Sequence, residues 1–403
     1  MSGDILFLAH RIPFPPNRGD KIRSWHMLKR LSEMATVRLA TFADDAADAA
    51  HLPALREALG GRLGEAHVEV RTTGKAAAAA RALAGGTPVS LPLFASAAMR
   101  RFVDRVVATR DIATIFAFSG QMAQFVPAGP RFVMDFVDMD SAKFDSYAET
   151  GPLPLRWMMR REARTLFAYE RATAARADAS LFVSEAEAAL FRSRTGLPNI
   201  HAVSNGIDVD FFDPAAAFAP LSPEARGEGP LLLFTGQMDY RPNVEAVTAF
   251  ARDVMPRLPG TRFAVAGRNP APEVMALKEQ GVIVTGAVDD MRSWLAAADV
   301  VVAPLGIARG IQNKVLEAMA MARPVVASPA AFEGIQAEPG KDLLVADGAE
   351  AQAAAIRALL ADPTCAAALG ASARVQMDRH YRWDARLAAL QDLVFPATRK
   401  AAA

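Results

Sequence analysis

Residues 304–328 read PLGIARGIQNKVLEAMAMARPVVAS, and the change of pattern inside this stretch decides the fold. Just before it, Asp299-Val300-Val301-Val302-Ala303-Pro304 is a short apolar, β-branched run closed by proline, which suits a buried parallel strand that ends at a loop. The loop follows over residues 305–312. From Asn313 the pattern turns helical, with Val315, Leu316, Met319 and Ala320 supplying an apolar face, until Arg323-Pro324 stops it and Val325-Val326-Ala327 begins another strand. In an open parallel sheet, ligands sit beyond the carboxyl ends of the strands. Gly310, Ile311 and Gln312 in the loop, and Asn313, Lys314 and Glu317 at the helix start, are therefore expected to face one. Asn313, Lys314 and Glu317 share a face where free backbone N–H groups and the helix dipole favour an anion. A lysine there suits a phosphate; a glutamate one turn further in suits a pair of sugar hydroxyls. The alternative for these residues alone is a solvated Lys–Glu pair three residues apart.

With 403 residues, 52% of them hydrophobic, the chain is long enough for two domains with separate cores. A net charge of +1 gives no bulk attraction for nucleic acid, and no basic cluster interleaved with aromatics occurs. The charges are unevenly placed: residues 1–205 carry 26 Lys and Arg against 21 Asp and Glu, and the remainder carries 19 against 23. The single cysteine, Cys365, excludes an intramolecular disulfide and any multi-cysteine metal site, in keeping with a reducing cytoplasm. Residues 1–10 are a strand-length apolar run without a basic leader, and nowhere do eighteen apolar residues run together. A soluble cytoplasmic protein is expected, at most attached to the inner face of the membrane.

Along the first half, residues 5–9 and 37–42 read as strands flanking a helix over 21–34, a βαβ unit. Arg18-Gly19-Asp20 at that helix entrance is a candidate acceptor or phosphate loop, because glycine lets a ligand approach the backbone; most such loops are only turns. The G-x-G-x-x-G fingerprint is missing, which counts against a nicotinamide or flavin enzyme. Residues 46–111 predict two or three helices and a short strand near 68–70. Residues 112–118 and 132–137 predict buried strands, the second running into Asp135-Phe136-Val137-Asp138-Met139-Asp140-Ser141, so that carboxylates cluster at a strand's carboxyl end. Asp140 or Ser141 capping the next helix is the plainer reading. A helix over 155–178 carries six arginines among Trp157, Met158 and Met159, and suits either a solvated face or contact with anionic lipid.

Asn205-Gly206 is a turn dipeptide that closes the first domain, and residues 213–229 have the proline, alanine and glycine content of a linker. A second βα series then begins. Residues 231–235 predict a strand whose loop contains Gly236, Gln237 and Arg241, and a later loop holds Gly286 and Val288. The expected division is residues 1–206, a crossing over 207–229, a second domain over 230–382, and a terminal helix over 383–403 returning to the first.

Over nearly its whole length the chain resembles glycosyltransferase family 4, the retaining nucleotide-sugar transferases. The residues that carry the likeness are Asn205-Gly206-Ile207-Asp208, Gly236 with a basic residue five positions on, Gly286, and Leu316-Glu317-Ala318-Met319-Ala320 followed by Arg323-Pro324-Val325-Val326-Ala327. Within that family it is most similar to the sugar transferases of exosortase/PEP-CTERM exopolysaccharide systems, through His10-Arg11-Ile12-Pro13-Phe14-Pro15, Gly19-Asp20-Lys21-Ile22-Arg23-Ser24, Asp135-Phe136-Val137-Asp138 and Arg309-Gly310-Ile311-Gln312-Asn313-Lys314. The resemblance implies an α/β GT-B architecture, two Rossmann-like domains with parallel sheets facing across a cleft. It also implies a nucleotide sugar as donor and a glycan or lipid-linked acceptor. The family pairs two glutamates, the second binding the donor ribose; Glu317 matches that one. Arg309 stands where the first is usual, leaving open what replaces it. Gln237 replaces an arginine, while Arg241 keeps the second basic position. Asp138 falls near the place of a family histidine and is assigned to orienting substrate hydroxyls.

Breaking a sugar–diphosphate bond puts charge on the leaving diphosphate, which a fixed Arg241, Lys314 and a helix N-terminus stabilise in place of a metal. No metal or other cofactor is expected. Two rivals remain, a GT-B binding protein without catalysis and a GT-B epimerase.

Overall fold

The computed structural model describes residues 3–149, 153–308 and 310–396. Residues 3–204 and 387–396 form one unit, and Asn205–Arg386 the other.

The first unit is built on seven strands: β1 Asp4–Ala9, β2 Val37–Ala43, β3 Leu63–Val70, β4 Ile112–Phe118, β5 Arg131–Val137, β6 Ala179–Phe182 and β7 Ile200–Ala202. All pairs are parallel, in the order β3-β2-β1-β4-β5-β6-β7. Parallel strands joined by crossover helices are covered on both faces, so central strands are near-continuous apolar runs. Ile5, Leu6, Phe7, Leu8 and Ala9 accordingly have no exposed surface. Phe7 is in register with Leu39 and Phe116, and its ring stacks on Phe116 at 5.5 Å.

The second unit repeats the plan with β8 Leu231–Thr235, β9 Arg262–Ala266, β10 Ile283–Gly286, β11 Val300–Ala303, β12 Val325–Ala327 and β13 Leu344–Val345. Its order is β10-β9-β8-β11-β12-β13, again parallel. In each sheet the order in which strands are added reverses near the middle, between β1 and β4 and between β8 and β11. Outside the strand ends at such a point the loops diverge and leave a crevice. The loops after β8 and β11 flank that crevice in the second unit, and those after β1 and β4 do so in the first.

Several expectations are corrected. The strand near 68–70 runs from Leu63; an edge strand that is half-buried along its length leaves no clear alternation in the sequence. Residues 46–111 hold five helices rather than two or three. Neither Asp140 nor Ser141 caps the helix Asp140–Tyr147. The carboxyl group of Glu170 does so instead, accepting from Ser141 N at 3.1 Å and Ser141 Oγ at 2.5 Å. The segment 207–229 is no free linker: Ile207 and Val209 belong to the second core, and Phe212, Phe218 and Leu221 pack on it. Ile207 N donates to Tyr381 O at 2.6 Å, and a β-carbon on Gly206 would stand 2.8 Å from that same oxygen, so glycine serves close approach there as well as turning. The returning C-terminal segment begins at Leu387 rather than 383. Thr114 Oγ1 and Arg131 Nε anchor it by donating to Val394 O and Leu393 O.

Candidate functional site

In the second unit, three neighbouring strands give way at their carboxyl ends to glycines at positive φ. These are Gly236 after β8 (153°), Gly267 after β9 (155°) and Gly286 at the end of β10 (71°). Gly236 N donates to Ala266 O and Gly267 N to Gly286 O, each at 3.1 Å, which carries the ladder one step beyond the sheet. The result is a backbone floor free of side chains.

Lys314 reaches the first of these glycines, its Nζ 3.3 Å from where a β-carbon on Gly236 would be built. It lies in the first turn of the helix Asn313–Ala320, which starts without a side-chain cap. Its Nζ lies 4.2 Å from the centre of the Phe234 ring and donates to Asn243 Oδ1 at 2.6 Å. Asn243 is 5% exposed and donates in turn from Nδ2 to Gln237 O at 2.8 Å. Glu317 is half-buried one turn along, and its carboxyl group has no hydrogen-bond partner among the described residues. Burial lowers the Lys314 amine to about 7, with Glu317 opposing the shift, and burial raises the Glu317 carboxyl to about 7, with Lys314 opposing. A lysine amine and a carboxyl one turn apart, beside an uncapped helix start and backbone glycines, make a site suited to an anionic ligand that bears hydroxyls.

The other expected residues fall around it unequally. Gln237 contributes its carbonyl while its side chain is exposed. Arg241 opens the helix Arg241–Asp253 and is 76% exposed, its Nε bound to Glu245 Oε1 at 2.7 Å. Gln312 Nε2 donates to Gly310 O at 3.0 Å, and Val288 and Ile311 pack on the core. Asn313 Oδ1 is buried without a hydrogen-bond partner among the described residues. Arg309 lies outside the described residues. Sequence reasoning missed Asn243, Gly267 and Phe234, whose partners lie on other elements.

In the first unit, Arg18, Gly19 and Asp20 lie at the start of the helix Gly19–Met34. Arg18 Nε meets Asp20 Oδ1 at 2.8 Å, and Arg11 bridges Asp20 and Asp44 at 2.6 and 2.9 Å. Arg71 also holds Asp44, and Lys21 holds Asp48. Burial would raise the Asp20 carboxyl, but His10, Arg11 and Arg18 hold it far below the usual range. A β-carbon on Gly19 would meet nothing within 4 Å, so there is room above this helix start.

Asp138 follows a kink, since Val137 has φ of 71°. The kink is pinned from within: Asp135 Oδ1 accepts from Val137 N at 3.0 Å, and the fully buried Asp135 takes a two-pronged bond from Arg23 at 2.9 and 3.1 Å. Lys143 clamps Asp138 at 2.8 Å and Asp140 at 2.9 Å. Although burial works against it, these carboxylates push the Lys143 amine above its ordinary range.

The arginines of the helix Leu153–Arg176 divide by role. Arg156, Arg161 and Arg176 donate to backbone carbonyls. Leu153, Trp157, Arg160, Arg164 and Arg171 recur at helical spacing along one exposed face, with Leu153 77% and Trp157 62% exposed. No single helix among the described residues is long and apolar enough to cross a membrane.

The chain is similar in structure to sucrose-phosphate synthase from Thermosynechococcus elongatus, with a TM-score of 0.72 at 18% identity, covering 97% of this chain and 98% of that one. The fold is GT-B. The Anabaena protein Alr3699/HepE, solved with UDP-glucose, matches with a TM-score of 0.65 at 15% identity over 96% and 98% of the two chains. Residues 229–362, which contain the glycine floor, Lys314 and Glu317, match the family model for glycosyl transferases group 1. A GDP-mannose-dependent alpha-(1-6)-phosphatidylinositol monomannoside mannosyltransferase of Mycobacterium tuberculosis is 26% identical over 314 residues, 72% of this chain and 77% of that protein. Together these likenesses give the chain a GT-B fold and liken its second unit to glycosyl transferases group 1.

Proposed function

We propose that this chain moves a sugar from a nucleoside-diphosphate sugar to a lipid-linked or glycan acceptor with retention, in exopolysaccharide assembly at the inner face of the cytoplasmic membrane. The observation that carries the reading is Lys314, with Glu317 one turn along its helix, held by Asn243 beside Gly236. In this reading the ammonium of Lys314 and the free N–H groups of its helix meet the diphosphate, and Glu317 takes the ribose hydroxyls. The bond from the anomeric carbon to the phosphate oxygen breaks as the acceptor oxygen bonds to the same face. The acceptor's proton passes to the leaving phosphate oxygen, so no protein nucleophile is needed. Fixed cations take the part a metal ion plays elsewhere, and Asp138, clamped by Lys143, orients a substrate hydroxyl.

A lipid-linked acceptor is favoured by the M. tuberculosis relative, whose name specifies a phosphatidylinositol mannoside, and by the apolar and basic face of the Leu153–Arg176 helix. Exopolysaccharide assembly is favoured by the motif resemblance. The test is a thermal-shift screen of UDP- and GDP-sugars followed by product analysis. A ligand present at a hundred times its dissociation constant adds about 2.7 kcal/mol of stability, which is readily seen. Release of nucleoside diphosphate, accelerated by acceptor, supports transfer. Binding without turnover identifies a binding protein, and isomerised donor an epimerase.

A further inference from the structure

We infer that Asn243 is the positioning residue of Lys314: its amide, clamped on the carbonyl of Gln237, fixes where the ammonium stands beside Gly236. The inference rests on the reading of Lys314 as the ligand of the donor's diphosphate.

Asn243 occupies the third position of its helix, 5% exposed, where asparagine has neither helix propensity nor apolar burial to recommend it. Its two amide ends are assigned by their partners. The Gln237 carbonyl can only accept, so Nδ2 faces it at 2.8 Å and Oδ1 faces Lys314 at 2.6 Å. The three groups pack as one body with Gly236, whose absent β-carbon would stand 2.8 Å from Asn243 Nδ2 and 3.3 Å from Lys314 Nζ.

The amide is chemically apt. A lysine on a flexible stem needs an acceptor to hold it in one place. A carboxylate here would neutralise the ammonium and repel an incoming diphosphate. A neutral acceptor orients the charge and leaves it available. Of the elements around Lys314, β8 offers the Phe234 ring and the Arg241–Asp253 helix offers Asn243, both uncharged; among the described residues the charged neighbour is Glu317, on its own helix. Arg241 points to solvent with Glu245.

Two readouts test this on the full chain. The first needs no substrate: competitive acetylation of lysines from pH 5 to 10, read at Lys314 by mass spectrometry. Replacing Asn243 by alanine removes an acceptor and should lower the Lys314 midpoint by roughly half a unit or more, whereas the isosteric Asn243→Asp should raise it by at least as much. The second is a double-mutant cycle on UDP and GDP affinity. Asn243→Ala should weaken binding about tenfold in the wild type and less than twofold in a Lys314→Met background. Unmoved midpoints in both variants, shifts in the same direction, or an Asn243→Ala loss that persists without Lys314 would each overturn the inference. If Asn243→Ala fails to fold, the Asn243→Asp midpoint decides alone. A wild type that binds neither nucleotide would reject the donor-site reading, while acetylation would still decide the role of Asn243 toward Lys314.

Discussion

The carbonyl oxygen of Gly236 occupies the space of a β-carbon on Gly267, 1.6 Å from where that carbon would be built. Backbone meets backbone here, so no side chain can rotate away. Gly267→Ala is therefore expected to cost about 3 kcal/mol or more and to abolish nucleotide binding by displacing the floor. Gly286→Ala is the contrast: with φ of 71° and nothing within 4 Å, it meets only backbone strain, about 1 kcal/mol. Equal midpoints for the two variants in urea would mean that the close approach is not held rigidly.

The Lys314–Glu317 pair makes stability depend on pH in two opposite ways. Between about 7 and its ordinary 10.5, Lys314 is neutral in the folded chain and protonated in the unfolded one, so its contribution rises with pH. Between its ordinary 4.5 and about 7, Glu317 holds a proton in the folded chain that the unfolded chain has released, so its contribution falls with pH. The joint contribution is least near neutrality. A Lys314→Met/Glu317→Gln variant should therefore melt above the wild type, by the widest margin near pH 7. Melting curves from pH 5 to 9 that run parallel would contradict this.

Function divides the same residues. If Glu317 holds the ribose, Glu317→Gln should weaken nucleotide binding with the fold intact, since bonds to a charged acceptor contribute roughly 1.5–3 kcal/mol each. Lys314→Ala should lower kcat more than it raises the donor KM, because leaving-group charge grows toward the transition state. Arg241→Ala, at a side chain 76% exposed and paired with Glu245, should matter less than Lys314→Ala. Steady-state kinetics of the three variants with the donor found by screening would reverse this ranking if Arg241 were the principal diphosphate ligand.

How far the sequence could be read follows from what kind of signal each residue left. The strands at 231–235 and 300–303 and the helix at Asn313 were legible, because buried parallel strands are unbroken apolar runs and Arg323-Pro324 ends a helix visibly. Lys314 and Glu317 were legible because helical spacing alone puts them on one face. Asn243 was not, since its partner is 71 residues away and only the β8–β11 adjacency brings them together. Gly267 was hidden for the same reason: its constraint is the carbonyl of a neighbouring strand's loop. Glu170 as the cap of the Asp140–Tyr147 helix escaped because capping was sought in adjacent residues, whereas the acceptor comes from 29 positions away.

Glu170 gives a fourth expectation. It is 3% exposed, and burial raises its carboxyl to about 8, with the Ser141 hydroxyl opposing the shift. Between its ordinary 4.5 and about 8 the folded chain keeps a proton that the unfolded chain loses, so this group's contribution falls as pH rises through that window. Glutamine can still accept from Ser141 and never ionises. Glu170→Gln should flatten the loss of stability between pH 5 and 8.5, by a few kcal/mol at most. Urea titrations at both ends of the range measure it; an unchanged pH slope would show that Glu170 titrates normally.

The exposed face of the Leu153–Arg176 helix leads to the last expectation. Leu153 and Trp157 stand out at its start, and Arg160, Arg164 and Arg171 continue the same row without an acidic residue on that face. An anionic bilayer surface supplies what this row lacks: an apolar boundary for the tryptophan and negative charge for the guanidinium groups. Each basic residue near such a surface contributes about 1 kcal/mol, so three make binding detectable and salt-sensitive. The protein should co-float with liposomes containing phosphatidylglycerol, not with phosphatidylcholine alone, and should release as salt is raised. Arg160→Glu/Arg164→Glu should abolish flotation, and Trp157→Ala should weaken it, while turnover on a short water-soluble acceptor stays at the wild-type rate. Flotation that survives the charge reversal would place the membrane contact elsewhere. No flotation of the wild type would make this row a solvated face, the arginines serving solubility alone.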